Sequence, residues 1–344
     1  MKLSDFDYEL PLDRIAQIPS EPRDSARLLV DCGRSAGSLN VEHRKVHDLP
    51  DYLRAGDLLV VNDTKVIPGR LRLQRSSGGA VEVLLLDPVN PSSTRWTALV
   101  RPGGRLKEGE VLHHAQSGTE VIFHGRAEDS ESFIVELCFT GDVLELLYKV
   151  GEIPLPPYIT TALSSSDRYQ TVYSRRPASA AAPTAGLHFT SKLLQTLSDN
   201  GIQIAHVELV VGLDTFQPIQ VENPLDHKMH TEFYSVSEQV MEQVNEAKRV
   251  IAVGTTAVRS LESAVARDEL SGRTNLFIHR GFDWQAVDMM MTNFHLPRTT
   301  LLLMIDAFIG DRWRDIYATA LESGYRFLSL GDAMLLNRHA TEGS

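Results

Sequence analysis

The chain has 344 residues, with 42% hydrophobic and 23% charged residues and a formal net charge of −11. That length supports a sizeable core and two domains, the composition is that of an ordinary soluble globular protein, and the acidic balance argues against a general nucleic-acid coat protein. Cys32 and Cys138 are far apart, the start lacks a basic stretch followed by an apolar run, and Leu301 to Ile309 is too short to span a membrane and is interrupted by Asp306. The expectation is a reduced, cytoplasmic protein with no membrane segment.

The first 60 residues mix short apolar runs with prolines, with Pro19 and Pro22 around Arg23, Asp24 and Arg27. Asp57 to Asn62 reads as a buried strand that enters a polar turn at Asp63-Thr64-Lys65. From Leu71 to Tyr148, short or alternating apolar runs recur at Leu71–Leu73, Val81–Leu86, Trp96–Val100, Val121–Phe123 and Phe133–Phe139. Gly78-Gly79, Pro88, Pro91, Pro102-Gly103-Gly104, Gly109 and Gly118 punctuate them. Closely spaced strands with turn signals predict a small antiparallel barrel or sandwich, closed by a short helix from Asp142 to Val150. Pro154-Leu155-Pro156-Pro157-Tyr158 must be extended, because each proline disfavours helix for its predecessor.

After Thr190 strands and helices alternate. Thr190 is placed to cap a helix over Ser191–Asp199 and Asn200-Gly201 to end it. A strand at Ile202–Val211, a helix opened by a Ser235/Glu238 capping box, a strand at Val250–Val253, a helix from Gly254 through Leu261, a strand at Val287–Met291 and helices at Thr300–Ile309 and Asp315–Ser323 follow. The predicted fold class is α/β. A layered α/β domain is built from both chain ends, residues 1–65 and 151–344, and a small antiparallel β-barrel domain, 66–150, is inserted into it.

Five stretches could carry chemistry. Ala180 to Thr190 is small and almost chargeless until His188; Pro183 and Gly186 bracket a turn just ahead of a helix N-terminus. It reads as a pocket for a flat, polar substrate, or as a tightly packed turn with a hydrogen-bonded histidine. Gly254-Thr255-Thr256 opens a helix with Arg259 one turn in, where a carboxylate or phosphate would be well held, or which is an ordinary helix start. Thr292-Asn293-Phe294-His295-Leu296-Pro297 ends a strand in an amide, an aromatic ring and an imidazole, and open α/β sheets bind ligands outside strand C-termini. Asp226-His227-Lys228-Met229-His230 has His-x-x-His spacing, but without nearby cysteine or an HExxH-type context an acid/base or hydrogen-bonding loop is favoured over a metal site. Gln217, in Thr215-Phe216-Gln217-Pro218, has both the donor and the acceptor that base-edge recognition needs. No GxGxxG, GxxxxGK[ST] or G-x-S-x-G pattern occurs, so standard dinucleotide, P-loop and nucleophile-elbow sites are unsupported.

Charge is uneven. Between Lys65 and Lys107 eight basic residues, Lys65, Arg70, Arg72, Arg75, Arg95, Arg101, Arg105 and Lys107, face Glu82 and Asp87, a local balance of +6. An acidic chain with one basic island meets a polyanion at one face, or carries a solvated set of strand faces.

Taken in order, these stretches resemble the S-adenosylmethionine:tRNA ribosyltransferase-isomerase family of queuosine biosynthesis. The matching residues run from Asp5-Phe6-Asp7-Tyr8-Glu9-Leu10-Pro11 and Asn62-Asp63-Thr64-Lys65-Val66-Ile67-Pro68 through Pro154–Tyr158, Asp167-Arg168-Tyr169-Gln170-Thr171-Val172-Tyr173 and Ala182–Phe189. They continue through Asp226-His227 to His230, Val253–Thr256, Thr292–Pro297 and Gly331-Asp332-Ala333-Met334. Three places depart from the family pattern: Val210 stands where histidine is usual, Asp214 where glycine is usual, and His279-Arg280-Gly281 where an aromatic-Pro-Gly is usual.

The resemblance implies an enzyme that transfers the ribosyl part of S-adenosylmethionine, not its methyl group. The acceptor is 7-aminomethyl-7-deazaguanine at the tRNA wobble position, and epoxyqueuosine, adenine and methionine are the products. S-adenosylmethionine is then a consumed co-substrate; no other cofactor and no metal are expected, and the protein is expected to be a monomer. The sulfonium acidifies C5′–H, so the chemistry needs a base, an acid and dry positioning. His188 and His295 are the expected acid/base pair, with Asp226 or His227 as alternates. Thr255, Thr256 and Arg259 are expected to hold the methionine carboxylate or an RNA phosphate. Tyr158, Phe189 and Phe294 are expected to stack on a base, and Thr184, Gly186, Gln217 and Asn293 to line the substrate site. Lys65, Arg70, Arg101 and Arg105 are expected to track tRNA phosphates. The rival readings are a non-catalytic RNA-binding protein and an S-adenosylmethionine-dependent RNA methyltransferase; the absence of a Gly-rich loop after the first strand weighs against the latter.

Overall fold

The computed structural model describes residues 1–35, 37–90, 94–128, 132–212, 218–229, 231–340 and 342–343. They form two units, Met1–Thr64 with Pro156–Arg176 and Ala182–Ser344, and Lys65–Leu155 with Pro177–Ala181.

The first unit begins with a hairpin, β1 (Arg27–Ser35) and β2 (Ser38–Lys45), and then β3 (Asp57–Asn62). Every residue of β3 is buried, as a parallel strand covered on both faces requires.

The chain then runs through β4 (Thr64–Val66), β5 (Arg70–Arg75), β6 (Ala80–Pro88), β7 (Arg95–Arg101), β8 (Glu110–His113), β9 (Glu120–Arg126) and β10 (Phe133–Cys138). The last six close into an antiparallel barrel in the order β10-β7-β6-β5-β8-β9. Alternate residues, among them Leu71, Leu73, Val81, Val83, Val121 and Val135, fill its interior, following the two-residue period of a strand. Asp142 caps α1 (Val143–Val150), accepting from the Leu144 and Glu145 N–H groups, and Leu147 and Val150 of α1 join the barrel core.

This second unit differs at its edges from the expected 66–150. Arg70 and Glu152 exchange both backbone hydrogen bonds, and Ile67 N–H donates to Ser179 O. Glu152 and the strand Arg176–Ser179 complete the unit through backbone pairing, which carries no side-chain signature in the sequence.

After β11 (Arg176–Ser179) the first unit resumes with α2 (Ser191–Asp199), β12 (Gln203–Leu209), β13 (Glu232–Ser235), α3 (Glu238–Glu246), β14 (Arg249–Val253) and α4 (Gly254–Arg267). It ends with β15 (Ser271–Thr274), β16 (Met289–Asn293), α5 (Thr300–Ile309), α6 (Arg312–Glu322), β17 (Ala333–Asn337) and β18 (Glu342–Gly343). The sheet order is β15-β13-β12-β3-β14-β16-β17-β1-β18, with β2 on β1. Strands β12, β3, β14 and β16 are mutually parallel; β17 is antiparallel to β16 and parallel to β1. Leu59, Val61, Ile251, Val253, Met289 and Met291 form one core with Leu193 and Leu197 of α2, and α4 packs along β12, β3, β14 and β16. This is the expected layered α/β arrangement with a barrel inserted into it.

Thr190 caps α2, accepting from Leu193 N–H at 3.1 Å. The cap of α3 is Ser237, not Ser235, because Ser235 is committed to the β13–β12 ladder. No helix among the described residues is long and apolar enough to cross a membrane.

Candidate active site

Beyond the C-terminal ends of the parallel strands β14 and β16, the first unit opens into a cleft with about 600 Å³ of space including its mouth. Its walls are Tyr158, the Ala182–Ala185 turn, Val211, Gly254–Thr256, Thr292–Leu296 and the Leu328-Ser329 turn, with Thr299 and Leu301. A crevice at strand C-termini is where an open α/β sheet can present loops and helix starts together.

β14 passes into α4 without a spacer. Gly254 has a φ of +84°, a left-handed conformation that glycine adopts without penalty, and no side chain caps the helix. The first N–H groups of α4 are thus left at the cleft wall, with the positive end of the helix dipole behind them. Thr256 Oγ1 is buried there without a partner among the described residues.

The turn Thr184–His188 and the end of β16 are joined by hydrogen bonds. Thr184 Oγ1 donates to Asn293 Oδ1 at 2.8 Å, and Asn293 Nδ2 donates to His188 Nε2 at 3.1 Å. His188 is 5% exposed and sits behind Asn293 rather than on the cleft wall. Because Nε2 accepts, its proton resides on Nδ1. Burial, and then the nearby guanidinium groups of Arg326, Arg23 and Arg168, depress its pKa to about 4.

His295 does line the cleft. Its Nε2 lies 3.2 Å from Thr292 Oγ1, its backbone N–H donates to the Tyr317 hydroxyl at 3.1 Å, and its carbonyl accepts from the Tyr8 hydroxyl. Burial lowers its pKa to about 3. Both imidazoles are therefore neutral near pH 7: each has one nitrogen lone pair to take up a proton, and neither is charged to serve as an acid.

Other expected residues are placed unevenly. Tyr158, Thr184, Thr255, Thr256 and Asn293 lie on the cleft, and Tyr158 Oη is 2.7 Å from Ser329 Oγ. Phe189 does not stack on a ligand: it is fully buried and packs edge-on to Tyr173 in the sheet core. Phe294 borders the cleft, but its ring is fully buried among Tyr317, Tyr325 and Phe327, with centroids 4.8–5.6 Å away. Gly186 does not serve as an open binding surface either; a β-carbon there would collide with the Tyr173 hydroxyl. Arg259 is buried and ion-paired through Nη1 with Glu232, whose other oxygen accepts Gly212 N–H at 3.1 Å. Its Nε and Nη2 have no partner among the described residues.

Asp226 and His227 sit on an exposed turn, where Asp226 accepts from Asn223 and His227 meets Phe277 edge-on; neither lines the cleft. Gln217 and His230, with Asp214, Thr215 and Phe216, lie outside the described residues. Sequence reasoning missed Tyr8, Tyr317 and Ser329. Tyr8 lies within a motif already singled out, so that stretch could have been weighed for the site.

A profile of the family described as queuosine biosynthesis protein matches residues 3–336. The chain belongs to that family. It is 47% identical to the S-adenosylmethionine:tRNA ribosyltransferase-isomerase of Carboxydothermus hydrogenoformans, over 98% of this chain and 100% of that protein. It is likewise 47% identical to the protein of the same name from Moorella thermoacetica, over 98% and 100% of the two chains. Among solved structures, an S-adenosylmethionine tRNA ribosyltransferase from Thermotoga maritima is 36% identical, covers 96% of this chain and 99% of its own, and superposes with a TM-score of 0.53.

Two of the positions singled out in the sequence as departures have clear structural settings. Val210 is buried, and its N–H donates to Phe233 O beyond the end of the β12–β13 ladder. Arg280 forms two hydrogen bonds to the buried carboxylate of Asp306, at 2.6 and 3.0 Å, and one to Asp311.

The basic island of the barrel unit is largely internal to that unit. Four of its eight cations lie within 4 Å of a carboxylate: Arg70 with Glu82, Arg72 with Glu152, Arg75 with Glu110 and Arg95 with Glu136. Strand pairing causes this; Arg95 and Glu136 are direct cross-strand partners. Arg70 is further tied to Leu155 O at 3.1 Å, and Lys65 lies 5.7 Å from the Tyr148 ring centroid. Arg101 and Arg105 are exposed and form no ion pair among the described residues.

Proposed function

We propose that the chain transfers and isomerises the ribosyl part of S-adenosylmethionine onto 7-aminomethyl-7-deazaguanine at the tRNA wobble position, releasing adenine and methionine. Family membership and the names of its relatives support the reaction class. The observation that carries the residue assignment is a neutral imidazole, that of His295, lining the same cleft as the uncapped start of α4.

In this reading His295 removes a proton from C5′, which the adjacent sulfonium acidifies. The C5′ electron pair forms the C4′=C5′ bond as C4′–O4′ breaks, O4′ forms a C1′ carbonyl as the C1′–N bond breaks, and the imidazolium, the acid at hand, gives its proton to the departing adenine. One group thus serves both steps. The amine of the modified base then attacks the unsaturated sugar, and an internal oxygen displaces methionine to close the epoxide. The N–H groups of α4 with Thr255 and Thr256 hold the methionine carboxylate, and Asn293 holds His188 neutral beside the site. Arg101 and Arg105 meet RNA phosphate. The same reading has the enzyme act as a monomer in the cytoplasm, with S-adenosylmethionine consumed and no further cofactor.

The test is chromatography of one reaction of the protein with S-adenosylmethionine and tRNA bearing the aminomethyl base. Adenine and methionine in equal amounts are expected, with the sugar carbons in the RNA. S-adenosylhomocysteine, or an unchanged donor with bound tRNA, would overturn the assignment.

A further inference from the structure

His295 is held from three directions by groups with no other evident task at the cleft. Thr292, three residues earlier on β16, is 1% exposed, and its hydroxyl meets the ring at Nε2, 3.2 Å away. The backbone of His295 is gripped on both sides: Tyr8 donates to its carbonyl, and its N–H donates to the hydroxyl of Tyr317, 3.1 Å away. The two tyrosines are themselves in edge contact, with ring centroids 5.2 Å apart. Tyr8 comes from the start of the chain and Tyr317 from α6, so the loop after β16 is fastened from both sides. A ring that must meet one C–H bond gains rate from being held in a single pose.

We infer that Thr292, Tyr8 and Tyr317 are positioning residues for His295: Thr292 holds the ring at Nε2 and the two tyrosines fix its backbone. The inference rests on His295 being the base of the proposed reaction. In the reactive tautomer Nε2–H donates to the Thr292 oxygen and the lone pair is on Nδ1, which has no hydrogen-bond partner among the described residues. The proton leaves C5′ for Nδ1 with the C–H electron pair remaining on carbon, and Nε2–H stays bonded to Thr292 while the ring is charged. Hydrogen bonding of the distal nitrogen is a general way to set which nitrogen of a histidine reacts.

The experiment uses the full chain with S-adenosylmethionine deuterated at C5′ and tRNA bearing the aminomethyl base. It reads washout of deuterium into water, kcat, and KM for the donor. Thr292→Val keeps the shape and removes the hydroxyl; it is expected to lower kcat and washout about 10- to 100-fold with KM changed less than about threefold. Thr292→Ser restores most of the rate, and Tyr8→Phe lowers kcat about 3- to 10-fold, again without a matching change in KM. If Thr292→Val and Tyr8→Phe both turn over as the parent while His295→Gln is inactive, the clamp is wrong and the base assignment stands. If His295→Gln also retains the parent rate, the base assignment itself has failed. Should the valine variant not fold, Tyr8→Phe decides: an unaltered kcat overturns the clamp.

Discussion

Asn293 Nδ2 lies 3.1 Å from His188 Nε2 and donates to it, which makes the imidazole an acceptor at that nitrogen. Reversing that polarity should change the ring's charge. In Asn293→Asp a carboxylate faces Nε2, so the ring must carry a proton there, and the added negative charge favours the doubly protonated ring over a simple switch of tautomer. Its pKa is expected to climb above the value of about 4 in the parent protein, and activity to fall at least about tenfold because the turn beside the cleft repacks. NMR titration of the His188 ring measures the first effect. An unchanged titration would mean that Asn293 does not control its protonation.

The two buried imidazoles make the fold sensitive to acid. Each has an ordinary value of 6.5 that burial depresses, to about 4 for His188 and about 3 for His295. The unfolded chain takes up these protons near pH 6.5, whereas the folded chain does so only far below. Their stabilising contribution is therefore complete above pH 6.5 and declines as pH falls toward the folded values. The loss reaches about 2 kcal/mol per imidazole by pH 5. Urea midpoints at pH 7.5 and pH 5 should differ less in the double variant His188→Gln/His295→Gln than in the parent; equal differences would refute the claim.

Gly186 has a packing task. A methyl group there meets the Tyr173 hydroxyl and the Thr171 side chain, so Gly186→Ala is expected to cost about 1–3 kcal/mol. The Tyr173 hydroxyl is buried without a partner among the described residues. Tyr173→Phe should cost little by itself and recover part of the loss in the double variant. Thermal or urea unfolding of the four proteins checks this; simple additivity would place the strain elsewhere.

Exposed and paired cations of the barrel unit should differ in their effect on tRNA binding. Arg101→Gln with Arg105→Gln removes two unpaired charges and is expected to reduce the slope of log K against log salt by about 2. Arg72→Gln with Arg75→Gln removes cations already neutralised by Glu152 and Glu110, and should leave the slope within about 0.5 of the parent. Binding isotherms at several salt concentrations separate the pairs, and equal slopes for both would dismiss Arg101 and Arg105 as phosphate contacts.

The barrel was legible because its strands alternate apolar and polar residues between glycine and proline turns, and α2 because its Thr190 cap and its periodicity coincide; the later helices were legible from periodicity, not from their caps. β17 was not, since Ala333-Met334-Leu335-Leu336 has a helix-former's composition and is a strand through its neighbours β16 and β1. The motifs around His188, Thr255 and His295 pointed to the cleft region, yet which side chains face it is a tertiary matter. Phe189 and Phe294 looked like stacking platforms next to histidines and turned out to be core. The net charge of the basic island was misread for a related reason: Glu110, Glu136 and Glu152 reach it across strands, outside the sequence window that defined it.

The partnership of β1 with β17 sets an order of events during synthesis. Arg27 N–H bonds to Asp332 across 305 residues, so the large sheet cannot be completed until the chain through β17 has left the ribosome. The six barrel strands, all between Arg70 and Cys138, can close long before that. A nascent chain arrested short of Ala333 would carry a finished barrel and an uncovered apolar edge on β1, and that edge is where a chaperone would be needed.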